Sequence, residues 1–134
     1  MGSTIWVQMN DGGSITGGDR DNSFTLRFEA ELDALAERLG KAKLSSFYDY
    51  GALEAEFEDD LDIETGSSSW FDAGAGLDTV SALLDELLRA APSGPPHGIP
   101  GDVTPRVIDE LEYCRGLLAT ARDAGADFRL LIVS

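Results

Sequence analysis

Glu54–Glu64, EAEFEDDLDIE, is the stretch whose residue types could do chemistry. Seven of its eleven residues are acidic: Glu54, Glu56, Glu58, Asp59, Asp60, Asp62 and Glu64. Carboxylates at this density can hold a divalent cation, work as an acid–base pair, or attract a basic protein. The first use fits poorly. An EF-hand calcium loop takes ligands at its first, third, fifth and twelfth positions, with glycine at the sixth. Starting from Asp60, the third and fifth positions are Asp62 and Glu64, but the glycine, Gly66, falls one place late and the closing Glu is missing. No specific metal site and no cofactor is expected. A small carboxylate-based or metal-assisted hydrolase is an alternative reading, because twenty-five acids make some close pair inevitable.

Other catalytic chemistry has little to draw on, and no catalytic residue is expected. The single histidine, His97, lies between Pro96 and Gly98, where a satisfied or solvent-exposed loop histidine is expected. No GxSxG nucleophile motif accompanies it. The single cysteine, Cys114, falls in an apolar helical stripe and reads as packing. One cysteine allows neither an intrachain disulfide nor a Cys-based zinc site. Gly12-Gly13 and Gly17-Gly18 lack the GxxxxGK[ST] and GxGxxG contexts of phosphate loops and read as turn glycines.

The charge distribution narrows the partners. The net charge is −15, and residues 44–91 carry twelve acids against one base, Arg89. Nucleic acid is disfavoured, because binding phosphates needs Lys and Arg to replace counterions. An anionic membrane surface is disfavoured for the same reason, and no apolar run approaches the ~20 residues of a membrane span. The first residues lack the basic and apolar stretches of a signal peptide. A cytoplasmic protein is expected.

Two readings of the acidic run remain open. It can be a solvated face that keeps the protein soluble. It can also be a docking surface for a basic protein, in the way immunity proteins meet basic toxins, since clustered charge speeds encounter. On the second reading, Glu54, Glu56, Glu58, Asp59, Asp60, Asp62, Glu64 and Trp70 form the partner-binding set. Phe57 and Phe71 would be further aromatic anchors, although Phe57 reads first as a core residue. A third class, a homo-oligomeric structural protein, also stays open, and the oligomeric state is not legible.

The elements that must position these residues follow from hydrophobic period. Thr4–Met9 alternates, with Ile5, Val7 and Met9 on one face, and predicts a strand. Residues 10–22 are polar and glycine-rich and predict a surface loop. Phe24, Phe28, Leu32, Leu35 and Leu39 share one helical face, favouring a single helix over 24–39 with Asn22 or Ser23 as N-cap and Gly40 as its stop. The competing reading is a strand over 24–28 with a helix from Glu29. Leu44–Tyr50 is either a short strand or the opening of the next helix with Asp49 as cap. Leu53, Phe57 and Leu61 predict a helix over 51–62, and 65–69 is a loop.

Leu77, Val80, Leu84, Leu87 and Ala91 predict a helix over 76–91, ended by Pro92. Residues 92–101 hold four of the five prolines and predict a stiff, irregular connector. Thr104 as N-cap, Pro105 at the first helical position and Gly125 as the stop frame a helix whose stripe is Val107, Leu111, Cys114, Leu118 and Ala121. Asp127–Ser134, DFRLLIVS, is apolar enough for a central strand. These elements predict an α+β fold in one domain over 1–134: a small sheet containing both terminal strands, packed against three or four helices.

The set NDGGSITGGD, LRFEAELDALAERLG, LSSFYDY, WFDAGAGLDTVSALLDELL and DFRLLIVS resembles a family of small, acidic, uncharacterised bacterial proteins. The order of elements is more faintly similar to YfbM-like proteins. The resemblance covers most of the chain but rests on apolar and turn residues. It implies a fold and no catalytic residues.

Overall fold

The last strand is the axis of the sheet. The structure, a computed structural model, describes residues 4–18, 20–49, 70–94 and 96–133. Among them are five strands: β1 (Thr4–Asp11), β2 (Ser14–Gly17), β3 (Tyr48–Asp49), β4 (Phe71–Asp72) and β5 (Asp127–Val133). Their order is β2-β1-β5-β3, with β4 also on β5. β1 runs antiparallel to β5 from Thr4↔Val133 to Asn10↔Asp127. Along the other side of β5, β3 pairs in parallel at Leu130 and Leu131, and β4 pairs antiparallel at Phe128 and Asp127. The expected central position of the terminal strand therefore holds, and so does the α+β class.

β2 departs from expectation, because residues 10–22 are not all loop. Gly12 and Gly13 both have positive φ, at 64° and 100°. That conformation suits a two-residue hairpin turn, whose twist matches the flanking strands. Asn10 steadies the turn by accepting a hydrogen bond from the Gly13 N–H. The returning strand then pairs Asp11↔Ser14 through Gln8↔Gly17. Beyond it, Gly18 passes so close to the last helix that a Cβ there would sit 2.2 Å from the Tyr113 hydroxyl.

Four helices pack with the sheet among the described residues: α1 (Ser23–Arg27), α2 (Glu29–Arg38), α3 (Ala73–Ala90) and α4 (Thr104–Ala124). The single helix expected over 24–39 is helical but broken at Phe28, whose φ and ψ are −103° and 28°. The strand reading of 24–28 is overturned. Gly40 and Gly125 end their helices as expected, with paired backbone bonds: Gly40 N–H to Glu37 O with Lys41 N–H to Ala36 O, and Gly125 N–H to Arg122 O with Ala126 N–H to Ala121 O.

α3 starts three residues earlier than expected, because the Asp72 carboxylate accepts from the Ala75 N–H at 2.9 Å and caps it. Thr104 is not a cap. It is the first residue of α4, and its hydroxyl donates back to the Pro100 carbonyl at 2.9 Å. Leu44–Phe47 forms a 3-10 turn leading into β3, Tyr48–Asp49, and the helix that Asp49 is expected to cap lies outside the described residues. The connector contains two further 3-10 turns, Ala91–Ser93 and Pro96–Gly98. The helix expected over 51–62 and the loop over 65–69 lie outside the described residues.

The core lies between the inner sheet face and the helices. Ile5 and Val7 of β1 and Phe128, Leu130 and Ile132 of β5 meet Leu32 and Leu35, Val80, Leu83, Leu84 and Leu87, and the whole expected α4 stripe. Phe128 is the most enclosed aromatic among the described residues, 5.2 Å from the Phe47 ring and 6.3 Å from Phe71. A Cβ on Gly76 of α3 would stand 2.2 Å from the Phe128 ring.

A buried carboxylate ties the N-terminal helix to the last one. Glu110 interrupts the apolar face of α4, and its carboxylate accepts from the Thr25 N–H at 2.7 Å, the Thr25 hydroxyl at 2.8 Å and the Phe24 N–H at 3.3 Å. Those N–H groups are free donors at the start of α1. Asn22 is the N-cap residue of α1, one of the two expected, but its side chain makes no capping bond; its amide donates to the Ile5 carbonyl at 3.0 Å, which ties α1 to β1.

Two glycine substitutions separate packing from helix propensity. Ala is favoured over Gly inside a helix by about 1 kcal/mol, while overpacking a core costs about 1–3 kcal/mol. Gly116→Ala on α4, where a Cβ meets nothing within 4 Å, is expected to raise the urea midpoint. Gly76→Ala is expected to lower it, because the added Cβ would overlap the fully buried Phe128 ring. Equal shifts for the two would contradict this packing.

Candidate functional site

Arg129 is the convergence point of the outer sheet face. It alternates with Phe128 and Leu130, so it points away from the core. Its Nε donates to Gln8 Oε1 at 2.8 Å and its Nη1 donates to Asp49 Oδ2 at 2.8 Å. The register supplies both partners, since Gln8 lies opposite Arg129 on β1 and Asp49 lies opposite Leu131 on β3. The guanidinium carbon lies over the Trp70 ring, 4.3 Å from its centroid. Only an arginine combines a planar fork with an aromatic-stacking face. The Asp49 side chain is 5% exposed and that of Arg129 is 15% exposed, so this ion pair is largely withdrawn from water.

The rest of that face is aromatic, apolar and acidic. Trp6 lies opposite Leu131 and is 41% exposed, with its indole N–H donated to Asp21 at 2.9 Å. Ile15 of β2, opposite Asn10, is 54% exposed. Asp127 and Asp72 lie opposite each other where β4 meets β5.

The expected partner-binding residues fall in two groups. Glu54, Glu56, Glu58, Asp59, Asp60, Asp62 and Glu64 lie outside the described residues, as does Phe57. Trp70 is half-buried on Arg129. Phe71 packs edge-on against Phe47 at 5.6 Å and belongs to the core margin. Asp49 and Trp70 flank the undescribed residues 50–69, which hold seven acids and no base. The two flanks therefore meet at one guanidinium.

Sequence reasoning passed over Arg129, Asp49, Gln8 and Trp6. One signal was available: Arg129 is the only base in the strand and the only polar residue between Phe128 and Val133, at a position that alternates away from Phe128 and Leu130.

The two residues weighed for catalysis are occupied structurally. His97 sits in the left-handed region at φ 53°. Arg38 Nη2 lies 2.8 Å from His97 Nδ1, and Glu86 Oε2 lies 2.8 Å from His97 Nε2. Arginine can only donate and an ionised carboxylate can only accept, so Nδ1 accepts and Nε2 carries the proton. Hydrogen bonds from Arg89 and then His97 hold Glu86 well below its ordinary 4.5, at about 2. Cys114 is buried, and desolvation pushes its thiol up to about 12, so it stays protonated and unreactive.

Among the described residues no group of three or more His, Cys, Asp or Glu is placed to hold a metal ion, and no helix is long and apolar enough to cross a membrane. No family model, curated protein or solved structure matches the chain.

Two predictions follow from these contacts. Glu86 has a depressed folded-state pKa, so its stabilisation is complete above about pH 4.5 and is lost as pH falls toward 2. Denaturation midpoints measured across that window should decline less steeply in Glu86→Gln. For the Arg129–Asp49 pair, a double-mutant cycle with Arg129→Met and Asp49→Asn should show a coupling of about 1–3 kcal/mol. Additive losses would mean that the pair contributes no interaction energy.

Proposed function

We propose that this chain is a non-enzymatic cytoplasmic binding module that docks a basic protein partner, in the manner of an immunity protein. The observation that carries this reading is the meeting of Asp49 and Trp70 at Arg129. On this reading, the seven carboxylates of residues 50–69 act together with the Trp6, Asp72 and Asp127 side chains of the outer sheet face. Clustered charge would steer a basic partner in and select against acidic ones. The exposed indole of Trp6 would supply apolar contact, since aromatic side chains dominate interface hot spots. The −11 net charge of residues 44–91 supports the same reading. Glu54, Glu56, Glu58, Asp59, Asp60, Asp62, Glu64 and Trp70 are the proposed contact set.

The test compares the native chain with a variant carrying Gln or Asn at Glu54, Glu56, Glu58 and Asp60, each used to capture partners from host lysate at low and high salt. The native chain should retain a basic protein at low salt and release it at high salt. The neutralised variant should bind it at least ~10-fold more weakly, in line with a loss of 1.4 kcal/mol or more. Equal recovery of the same partner by both would sink the reading.

A further inference from the structure

β2 ends the sheet on one side, and its outer edge is open. In an antiparallel ladder, pairs that exchange two hydrogen bonds alternate with pairs that exchange none. The two-residue turn at Gly12-Gly13 closes on a bonded pair, so Asp11↔Ser14 and Met9↔Thr16 are the bonded pairs of this hairpin. The Gly18 N–H donates to the Val7 carbonyl at 2.9 Å, which continues that parity past the end of the strand. Ile15 and Gly17 therefore turn their N–H and C=O groups away from β1. Among the described residues nothing pairs with these two donors and two acceptors, and all four residues of β2 are exposed. The Ile15 side chain, 54% exposed, stands at the same edge. Exposed edges are commonly guarded by lysine, proline or a bulge. The strand SITG has no charge and no proline.

We propose that the β2 edge docks an extended, basic segment of the protein partner, which joins the sheet as a further strand through main-chain hydrogen bonds to Ile15 and Gly17. Free N–H and C=O groups at every second residue match an extended backbone, whereas a helix has already spent its own on itself. Charge then chooses among extended segments. At this margin Asp11 ends β1 and Asp21 accepts from the Trp6 indole, while two bases of the region are already spent, Arg20 on Asp109 at 2.6 Å and Arg129 on Asp49 at 2.8 Å. A second copy of this chain would bring a net charge of −15 against −15, with no base on its own β2 to offset it. A strand carrying Lys or Arg is drawn in by the same field. Side chains of the added strand alternate between faces. One row lies beside Ile15 and suits apolar residues. The other lies beside Ser14 and Thr16, on the face that Asp11 shares with Ser14, and suits basic ones.

The test uses the full chain and a blocked peptide of about ten residues alternating Val and Lys, with a Val–Glu peptide as the charge control. Amide hydrogen exchange is read residue by residue, with peptide added up to about 1 mM. The Val–Lys peptide is expected to slow exchange at Ile15 and Gly17 at least ~10-fold and to leave Ser14 and Thr16, already bonded to β1, nearly unchanged. Ile15→Pro removes only an outward N–H, which an edge strand tolerates, and is expected to weaken peptide binding at least ~10-fold. Should that variant fail to fold, the exchange pattern of the native chain decides alone. Unchanged exchange at Ile15 and Gly17 would overturn the proposal, as would equal protection by the Val–Glu peptide. So would a free chain that sediments as a dimer with both amides already protected, since a second copy would then hold the edge. The proposal rests on the preceding reading for the charge of the incoming strand but uses different residues, so the two can fail separately. Absent protection at Ile15 and Gly17 sinks this one, and equal capture by the native and neutralised chains sinks the other.

Discussion

A strand buried at the centre of a sheet must have its backbone N–H and C=O groups paired on both edges, because burying them unpaired costs more than most side-chain contacts return. β5 lives under that constraint, and much of the fold answers to it. One edge is satisfied by a single long antiparallel partner, β1. The other is satisfied piecewise, by two residues of β3 in parallel and two residues of β4 in antiparallel. Segments more than twenty residues apart in sequence are thus brought to one edge. The inner face of β5 then presents Phe128, Leu130 and Ile132 to α3 and α4. Full burial of each such side chain contributes roughly 1.5–3 kcal/mol.

The polar groups withdrawn from water tie separate elements together. Glu110 reaches from α4 to the first turn of α1 and supplies the acceptor that Asn22 does not give it. Asn22 is spent on the Ile5 carbonyl of β1. Such arrangements add modest net stability and considerable specificity, since a misplaced helix would leave a carboxylate buried without donors. On the outer side of the sheet, Arg129 plays the matching part, with Gln8, Asp49 and Trp70 each fixed by one guanidinium. Both groups act between segments far apart in sequence. Both hold short elements, α1 in one case and β3 in the other, that have too few residues to be stable alone.

That division bears on function. The inner face and the helix stripes are committed to packing, His97 to a bridge between Arg38 and Glu86, and Cys114 to the core. The outer face holds what packing leaves over: an exposed tryptophan, acids, and the two flanks of the most acidic segment of the chain. The proposed recognition of a basic partner by charge and aromatic contact draws on that outer face.

The sequence by itself determined the long helices and the alternation of the terminal strands. The α4 stripe Val107, Leu111, Cys114, Leu118 and Ala121 is buried throughout, and Ile5 and Val7 face inward against Trp6 and Gln8. Period is a local property, so elements of several turns declare themselves. β2 did not, because its four residues are all exposed and carry no inside–outside alternation. The two-residue strands β3 and β4 are too short to carry a period at all. The break at Phe28 was hidden for a related reason: its apolar spacing continues the stripe although the backbone does not. The charge asymmetry was equally plain from composition. Only the tertiary structure decided strand direction, the partner of Glu110, and the meeting of Asp49 and Trp70 on Arg129. Those contacts join residues about sixty to more than eighty positions apart, and no local pattern encodes which distant donor a carboxylate will find.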